Sequence, residues 1–362
     1  MLTTPLSIPE TMYALQLVKQ RCSPEEAFEY RQVKTPIIKN PTDILVKIKA
    51  AGVNPGEGKY RSCNVISISI PRTLGCDYSG IVMAKGSKVT EFEVGDAVFG
   101  VLDNKAQGPE GTYGEYTVAS LESGVIVKKL DNITFEEAAS LGAVSLTAMQ
   151  GIGIHGNFLS QDKNIKPKRV LVIGASSGIG VYAIQFAKAL DAQEVLGICG
   201  SKNTSLVQSL GADQVFDYTS TESMADLLSS PQYKDLDVIF DCIGGDDYYH
   251  QLYPLLKPKT GIYCTAVGPI IYFGTEPVGF SDWIYIVSRI LWRKFFGPCH
   301  YIFGLFAPFH TMKTKIHPWL EEGIIRPVIG KDQVFDLKEG AKAHGLMETK
   351  HASGRIILKV SE

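Results

Sequence analysis

Between the apolar run Arg169-Val-Leu-Val-Ile173 and an amphipathic one from Val181 to Leu190, the chain carries Gly174-Ala-Ser-Ser-Gly178-Ile-Gly180. Small residues at a strand-to-helix junction let backbone N–H groups approach a phosphate, and the helix N-terminus adds a favourable dipole. The turn predicts a dinucleotide held by Ala175, Ser176, Ser177, Gly178 and Ile179. On a strict G-x-G-x-x-G template, Ala175, Ser177 and Gly180 take the glycine positions, so only the last is glycine. The prediction therefore leans on the elements around the turn.

An acid closing the second strand of such a fold normally binds the adenosine ribose 2′-OH. Here that strand, Glu194-Val-Leu-Gly-Ile-Cys199, ends in Gly200-Ser201-Lys202-Asn203, with no acid at its tip. Ser201 can donate a hydrogen bond, Lys202 supplies a point charge, and Tyr218 adds a hydroxyl just after the third strand. These groups suit a 2′-phosphate and hence NADPH. The plainer alternative is that Lys202 is a solvated residue at a helix start.

Such a turn needs a parallel sheet to hold it. From Phe135 onward, helices alternate with apolar strands at 169–174, 194–199, 214–217, 237–242 and 261–267. The intervening helices begin near Gly178, Ser201, Thr221 and Asp246. This predicts an α/β fold with a doubly wound parallel sheet. Residues 12–130 instead carry short strand-like runs separated by Gly and Pro, including Ile44-Leu-Val-Lys-Ile-Lys, Gly80-Ile-Val-Met-Ala, Ala97-Val-Phe-Gly and Tyr116-Thr-Val-Ala. They predict a mainly β domain, which the tail Gly354-Arg-Ile-Ile-Leu-Lys-Val is expected to rejoin.

A chain of 362 residues is long enough for two such domains, and 45% apolar with 20% charged residues is ordinary for a globular protein. The net charge of -2 and the lack of a basic stripe give no reason to expect nucleic acid. Seven scattered cysteines without a CxxC pair read as reduced thiols. Met1 to Met12 has neither a charged n-region nor an apolar h-region, so the expected location is cytoplasmic.

Segment 269–310 holds 12 of the chain's 35 aromatic residues, a density that calls for an apolar pocket or an interface. Asp282, Arg289, Arg293 and Lys294 interrupt every window long enough to span a bilayer. Residues 281–296 fit an amphipathic helix, with Trp283, Ile284, Val287, Ile290 and Leu291 on one face and Asp282, Arg289 and Arg293 on another. A lid or dimer-contact helix is one reading. Peripheral contact with a membrane or lipid-droplet surface is the other.

Five stretches resemble the zinc-independent quinone oxidoreductase branch of the medium-chain dehydrogenase/reductases. They are Ala51-Gly-Val-Asn54-Pro55, Leu74-Gly-Cys-Asp77-Tyr-Ser-Gly80, Val94-Gly-Asp96-Ala-Val, Ala138-Ala-Ser-Leu-Gly-Ala-Val-Ser-Leu-Thr147-Ala and the glycine turn itself. Leu210-Gly-Ala-Asp213 and Gly354-Arg-Ile-Ile add to the match, which runs from about residue 12 to the end. With its aromatic insert the chain looks most similar to the reticulon-interacting and fungal quinone-reductase-like members. The resemblance implies a GroES-like catalytic domain over 1–134, completed by about 326–362. It further implies a Rossmann NADP-binding domain over 135–325 with the insert 269–310, and a homodimer.

Zinc-dependent relatives have Cys where this chain has Asn54 and His-Glu where it has Cys76-Asp77, and region 100–118 lacks their four-cysteine cluster. One cysteine cannot build a tetrahedral site, so no metal is expected and Cys76 reads as a small buried apolar residue. The chemistry implied is hydride transfer from NADPH to a quinone or an α,β-unsaturated carbonyl, whose developing oxyanion needs hydrogen-bond donors. By resemblance, Asn54 and Tyr60 are those donors, Thr147 sits beside the nicotinamide or its ribose, and Val267 and Gly268 form the nicotinamide floor. On the plainer reading Asn54 is a turn residue and Thr147 packs a helix. Lys59 and Arg61 can anchor an anionic substrate, while Glu57 stands where the family often has Asp.

A short-chain dehydrogenase is the first competitor. Tyr253 and Lys257 match its Tyr-x-x-x-Lys spacing, but Pro254 interrupts the helix required and the glycine turn comes too late in the chain. The stronger competitor is an NADPH-binding scaffold or membrane-associated redox sensor with little turnover.

Overall fold

Alternating apolar residues make half-buried strands, whereas continuous apolar runs make strands covered on both faces. The two patterns divide the chain. The computed structural model describes residues 8–62, 68–103, 111–160, 168–269, 279–304 and 309–360. Among them, one unit runs to Ala143 and resumes at Pro327, and a second runs from Val144 to Arg326.

The first unit opens with β1 (Thr11–Leu17), β2 (Phe28–Lys34), β3 (Asp43–Gly52), β4 (Arg72–Thr73), β5 (Asp77–Lys85), β6 (Ala97–Val101), β7 (Tyr116–Ser120) and β8 (Val125–Lys128). The second unit holds β9 (Arg169–Ile173), β10 (Glu194–Cys199), β11 (Gln214–Asp217), β12 (Val238–Asp241), β13 (Ile262–Thr265) and β14 (His300–Phe303). The chain then returns to the first unit as β15 (Ile329–Asp336) and β16 (Arg355–Lys359).

In the first unit, β2-β1-β4 form a small sheet, and β15-β16-β3-β5-β6-β8 form a larger one with β7 also on β3. The tail strand β16 lies antiparallel to β3, with Ile357 opposite Gly52, so the C-terminal return is part of the sheet rather than an appendage. Leu15, Ile48, Tyr78, Val98 and Leu358 are among the buried residues of its core.

In the second unit, six parallel strands run in the order β11-β10-β9-β12-β13-β14. Relabelled by appearance this is 3-2-1-4-5-6, the doubly wound dinucleotide-binding order, which reverses between β9 and β12. Val170 to Ile173 are wholly buried, as a strand covered on both faces requires. The sheet also gains β14 from within the aromatic segment, a strand beyond the five expected.

Helix Asp246–Leu252 stops at a single tight turn, Tyr253–Leu255, that contains Pro254. Tyr253 and Lys257 thus share no helix, and Lys257 Nζ pairs with Asp237 at 2.7 Å. The short-chain alternative fails on geometry.

Candidate dinucleotide site and the buried polar cluster

The glycine turn follows β9 and leads into helix Gly180–Ala189. Gly174 adopts φ +73°, a conformation that favours glycine. A Cβ on Gly180 would lie 2.1 Å from the Gly174 carbonyl oxygen, so both ends of the turn are held to glycine by contact. Within it, Ser177 N–H donates to Gly174 O at 2.9 Å, and Ser177 Oγ accepts from Gly180 N–H at 3.1 Å. The N–H groups of Gly178 and Ile179 find no acceptor among the described residues. Two donors at a helix head at the sheet's switch point form a cradle for phosphate. Ala175 is fully buried at the glycine-template position and packs toward Gly197, while Ser176 faces the second strand's exit.

That exit is Gly200-Ser201-Lys202-Asn203, where Ser201 and Lys202 are exposed. Asn203 Nδ2 donates to Ser176 Oγ at 3.2 Å, tying this loop to the glycine turn. Tyr218 N–H donates to Cys199 O at 3.2 Å, and the Tyr218 ring, 47% exposed, lies beside Gly200. The three residues expected at the 2′-position are therefore neighbours. The structure also adds an acid: Asp217 is in register with Cys199, one residue before Tyr218. Its carboxylate accepts from Thr219 N–H at 2.9 Å and Thr219 Oγ1 at 2.8 Å. Those hydrogen bonds, with weaker ones from Ser201, hold its pKa below the usual carboxylate range.

Val267 and Gly268 follow β13, and Thr265 Oγ1 accepts from their N–H groups at 3.2 and 3.1 Å. Gly268 takes φ +94°, and Gly245 N–H donates to its carbonyl at 2.9 Å. Behind this turn Asp241 is buried, accepting from Ile243 N–H, Gly244 N–H and Tyr263 OH; burial raises its pKa. Thr147 lies half-buried on helix Phe135–Ala148. The chain continues from it through the wide turns of Met149–His155, where Gly151 leaves room for the Phe240 ring of β12.

In the first unit, Asn54 precedes helix Pro55–Ser62, and Glu57 reaches back to its cap. Asn54 N–H donates to Glu57 Oε2 at 2.8 Å while Glu57 N–H donates to Asn54 O at 3.2 Å, a reciprocal cap. Asn54 Nδ2 donates to Asp77 Oδ2 at 3.0 Å and Glu57 Oε1 at 3.3 Å, and its Oδ1 accepts from Arg355 Nη1 at 2.9 Å. Arg355 Nη2 pairs with Asp77 Oδ2 at 2.6 Å. Asp77 Oδ1 takes a further N–H from Ala143 at 2.7 Å. Gly142, where the helix breaks, permits this because a Cβ there would lie 2.2 Å from the same oxygen.

Two expectations, those for Cys76 and Arg61, are corrected here. The turn-residue reading of Asn54 describes its surroundings, since its amide hydrogens are directed at carboxylates. Cys76 is not in apolar surroundings: its Sγ lies 3.6 Å from both Glu57 Oε1 and Asp77 Oδ1. Arg61 is wholly buried, bonded to the Cys22 carbonyl and the Glu348 carboxylate, and is no surface anchor for substrate. The Tyr60 ring packs against the first unit's core, and Lys59 is half-buried. Burial, with Asp77 second, pushes the Glu57 carboxyl up to about 7. Sequence reasoning had no signal for the Arg355 partnership, which joins residues 278 and 301 positions apart.

Among the described residues no group of three or more His, Cys, Asp and Glu side chains is placed to hold a metal ion. Burial raises the Cys76 thiol well above its ordinary range, and Arg355 pairs with Asp77 in the same cluster.

Helix Phe280–Phe296 is inverted relative to a core helix. Ile286 and Arg293 are its buried residues, and Arg293 lies 3.8 Å over the Tyr249 ring and 2.5 Å from Asp246. Phe280, Ile284, Val287, Leu291 and Phe295 are exposed. Residues 270–278 and 305–308 of the aromatic segment lie outside the described residues. No helix among the described residues is long and apolar enough to cross a membrane.

Comparison with known proteins agrees with this architecture. The family described as alcohol dehydrogenase GroES-like domain matches residues 40–130, and that described as zinc-binding dehydrogenase matches 210–358. The mitochondrial NAD(P)H oxidoreductase RTN4IP1 of Bos taurus is 33% identical over 345 residues, covering 90% of this chain and 83% of its own. The chloroplast envelope quinone oxidoreductase homolog of Arabidopsis thaliana is 30% identical, covering 91% and 93%. The quinone oxidoreductase structure from Coxiella burnetii superposes with a TM-score of 0.74 at 26% identity, covering 97% and 100%.

Proposed function

This chain belongs to the medium-chain dehydrogenase/reductase superfamily, in its quinone oxidoreductase-like branch, and from that membership we propose an NADPH-dependent, zinc-independent reductase of quinones or α,β-unsaturated carbonyls. The observation that carries the proposal is the phosphate cradle between Gly174 and Gly180, with two unpaired N–H groups at the helix head.

When bound, reduced nicotinamide supplies the hydride. Gly178 and Ile179 hold the pyrophosphate; Ser201, Lys202 and Tyr218 attract the 2′-phosphate. Val267 and Gly268 form a floor fixed by Thr265, and Thr147 contacts the ribose side. Tyr60, half-buried on helix Pro55–Ser62, donates to the acceptor oxygen, while Asn54, with both amide hydrogens committed, fixes the start of that helix. Positioning of this kind supplies much of the acceleration available without a Lewis acid.

Calorimetric titration with NADPH and NADH tests the cofactor, and loss of NADPH absorbance with a panel of enones and quinones tests the reaction. Binding without turnover across the panel would favour the second reading, a redox-sensing scaffold. The outward apolar face of Phe280–Phe296 supports that reading, since it suits a lipid surface or a second copy in a homodimer. We place the protein in the cytoplasm, with 281–296 as its contact to such a surface. Subcellular fractionation and vesicle flotation test this.

A further inference from the structure

The loop expected to bind a 2′-phosphate contains a carboxylate that the order of residues concealed. Asp217 ends β11, and parallel pairing sets it beside Cys199, at the level where the second strand delivers Ser201 and Lys202. Tyr218 N–H on Cys199 O, the Tyr218 ring beside Gly200, and Asn203 on Ser176 Oγ draw the same residues into one patch next to the phosphate cradle. Two bonds from Thr219, at 2.9 and 2.8 Å, fix the Asp217 side chain, and the Ser201 N–H and hydroxyl face it.

We propose that Asp217 sets the dinucleotide selectivity of this protein, opposing the 2′-phosphate of NADPH and accepting a ribose hydroxyl of NADH, so that both cofactors bind. The inference rests on the dinucleotide reading above and deepens it. Lys202 and Asp217 carry opposite charges at one subsite, so the attraction for a dianionic phosphate is partly cancelled. A ribose hydroxyl, by contrast, can donate to the carboxylate without repulsion. Ser201 bonds the Asp217 carboxylate, Asn203 bonds Ser176, and Lys202, exposed between Ser201 and Asn203, brings the positive charge to this strand exit.

The test is calorimetry on the full chain and on Asp217→Asn, which keeps the oxygen that Thr219 bonds, with NADPH, NADH and 2′,5′-ADP as probes. The wild type is expected to bind both dinucleotides within about tenfold of each other, and Asp217→Asn to bind NADPH and 2′,5′-ADP about tenfold more tightly at low salt, the gain shrinking as salt is raised. NADH affinity should hold or fall. Unchanged or weaker NADPH binding in Asp217→Asn, or equal tightening of NADH, overturns the selectivity role while leaving the dinucleotide site intact. Failure of the wild type to bind either dinucleotide overturns the cofactor reading itself.

Discussion

Asn54 and Glu57 clasp each other across the first turn of a helix, each backbone N–H bonded to the other residue at 2.8 and 3.2 Å. The clasped carboxyl lies beside Asp77, which Arg355 pairs, and burial, with Asp77 second, pushes Glu57 up to about 7 against the lowering pull of the clasp's own hydrogen bonds. Between about pH 4.5 and 7 the native Glu57 holds a proton that the unfolded chain releases. Stability from this group therefore falls as pH rises through that window, by about 1.4 kcal/mol per pH unit. Urea unfolding at several pH values should show Glu57→Gln losing this fall.

His344 acts in the opposite direction. It is buried between Phe28 and Tyr113, neither ring nitrogen has a partner among the described residues, and burial lowers its pKa to about 3. Below about pH 6.5 the unfolded histidine is protonated and the native one is not, so stability falls as pH drops, again by about 1.4 kcal/mol per unit. Where both groups titrate, the two contributions oppose each other in the wild type. His344→Leu should unmask the Glu57 slope, and Glu57→Gln the His344 slope, in the same unfolding series.

Removing Arg355 leaves the Asp77 carboxylate buried and lacking its cation. Arg355→Met should cost roughly 3–5 kcal/mol in chemical denaturation. Adding Asp77→Asn to it should recover part of that loss; a double variant worse than the single would contradict the pairing.

Gly180→Ala places a Cβ against the Gly174 carbonyl oxygen and should disrupt the turn. Calorimetry should show loss of both dinucleotides, with the pH-dependence of Glu57, in the other unit, retained. Lys202→Ala should instead weaken NADPH about tenfold and leave NADH unchanged.

Trp292 and Phe295 are 50% and 67% exposed on a helix whose inward anchor is Arg293. Trp292→Glu with Phe295→Glu should abolish flotation with anionic vesicles while leaving the unfolding midpoint within experimental scatter. Retained flotation would remove this face as the contact.

The parallel strands were legible to within two residues because burial on both faces writes an unbroken apolar run, as in Val170 to Ile173. β2 left no such trace, since Glu29 to Gln32 are all exposed. β14 was hidden in an aromatic segment whose composition suggested a surface rather than a strand. The residues around the glycine turn were legible because they follow their strands directly. Asp217 is not legible as an acid of this subsite because it ends the third strand, and only parallel register sets it level with the end of the second. The partners of Asn54 escaped for a related reason. Glu57 lies one helical turn away, but Asp77 and Arg355 arrive only through strand pairing.

Arg355 has a consequence for how this protein is made. Synthesis proceeds from the N-terminus, and domains commonly fold as they emerge. Here β3 and β5 emerge early with Asp77, but their cation and the neighbouring strand β16 follow only after the whole parallel-sheet unit has been translated. The first domain begun is the last completed. A nascent chain stalled before residue 355 carries a finished dinucleotide fold beside an open sheet edge with an uncompensated acidic pocket, a form suited to holding by chaperones.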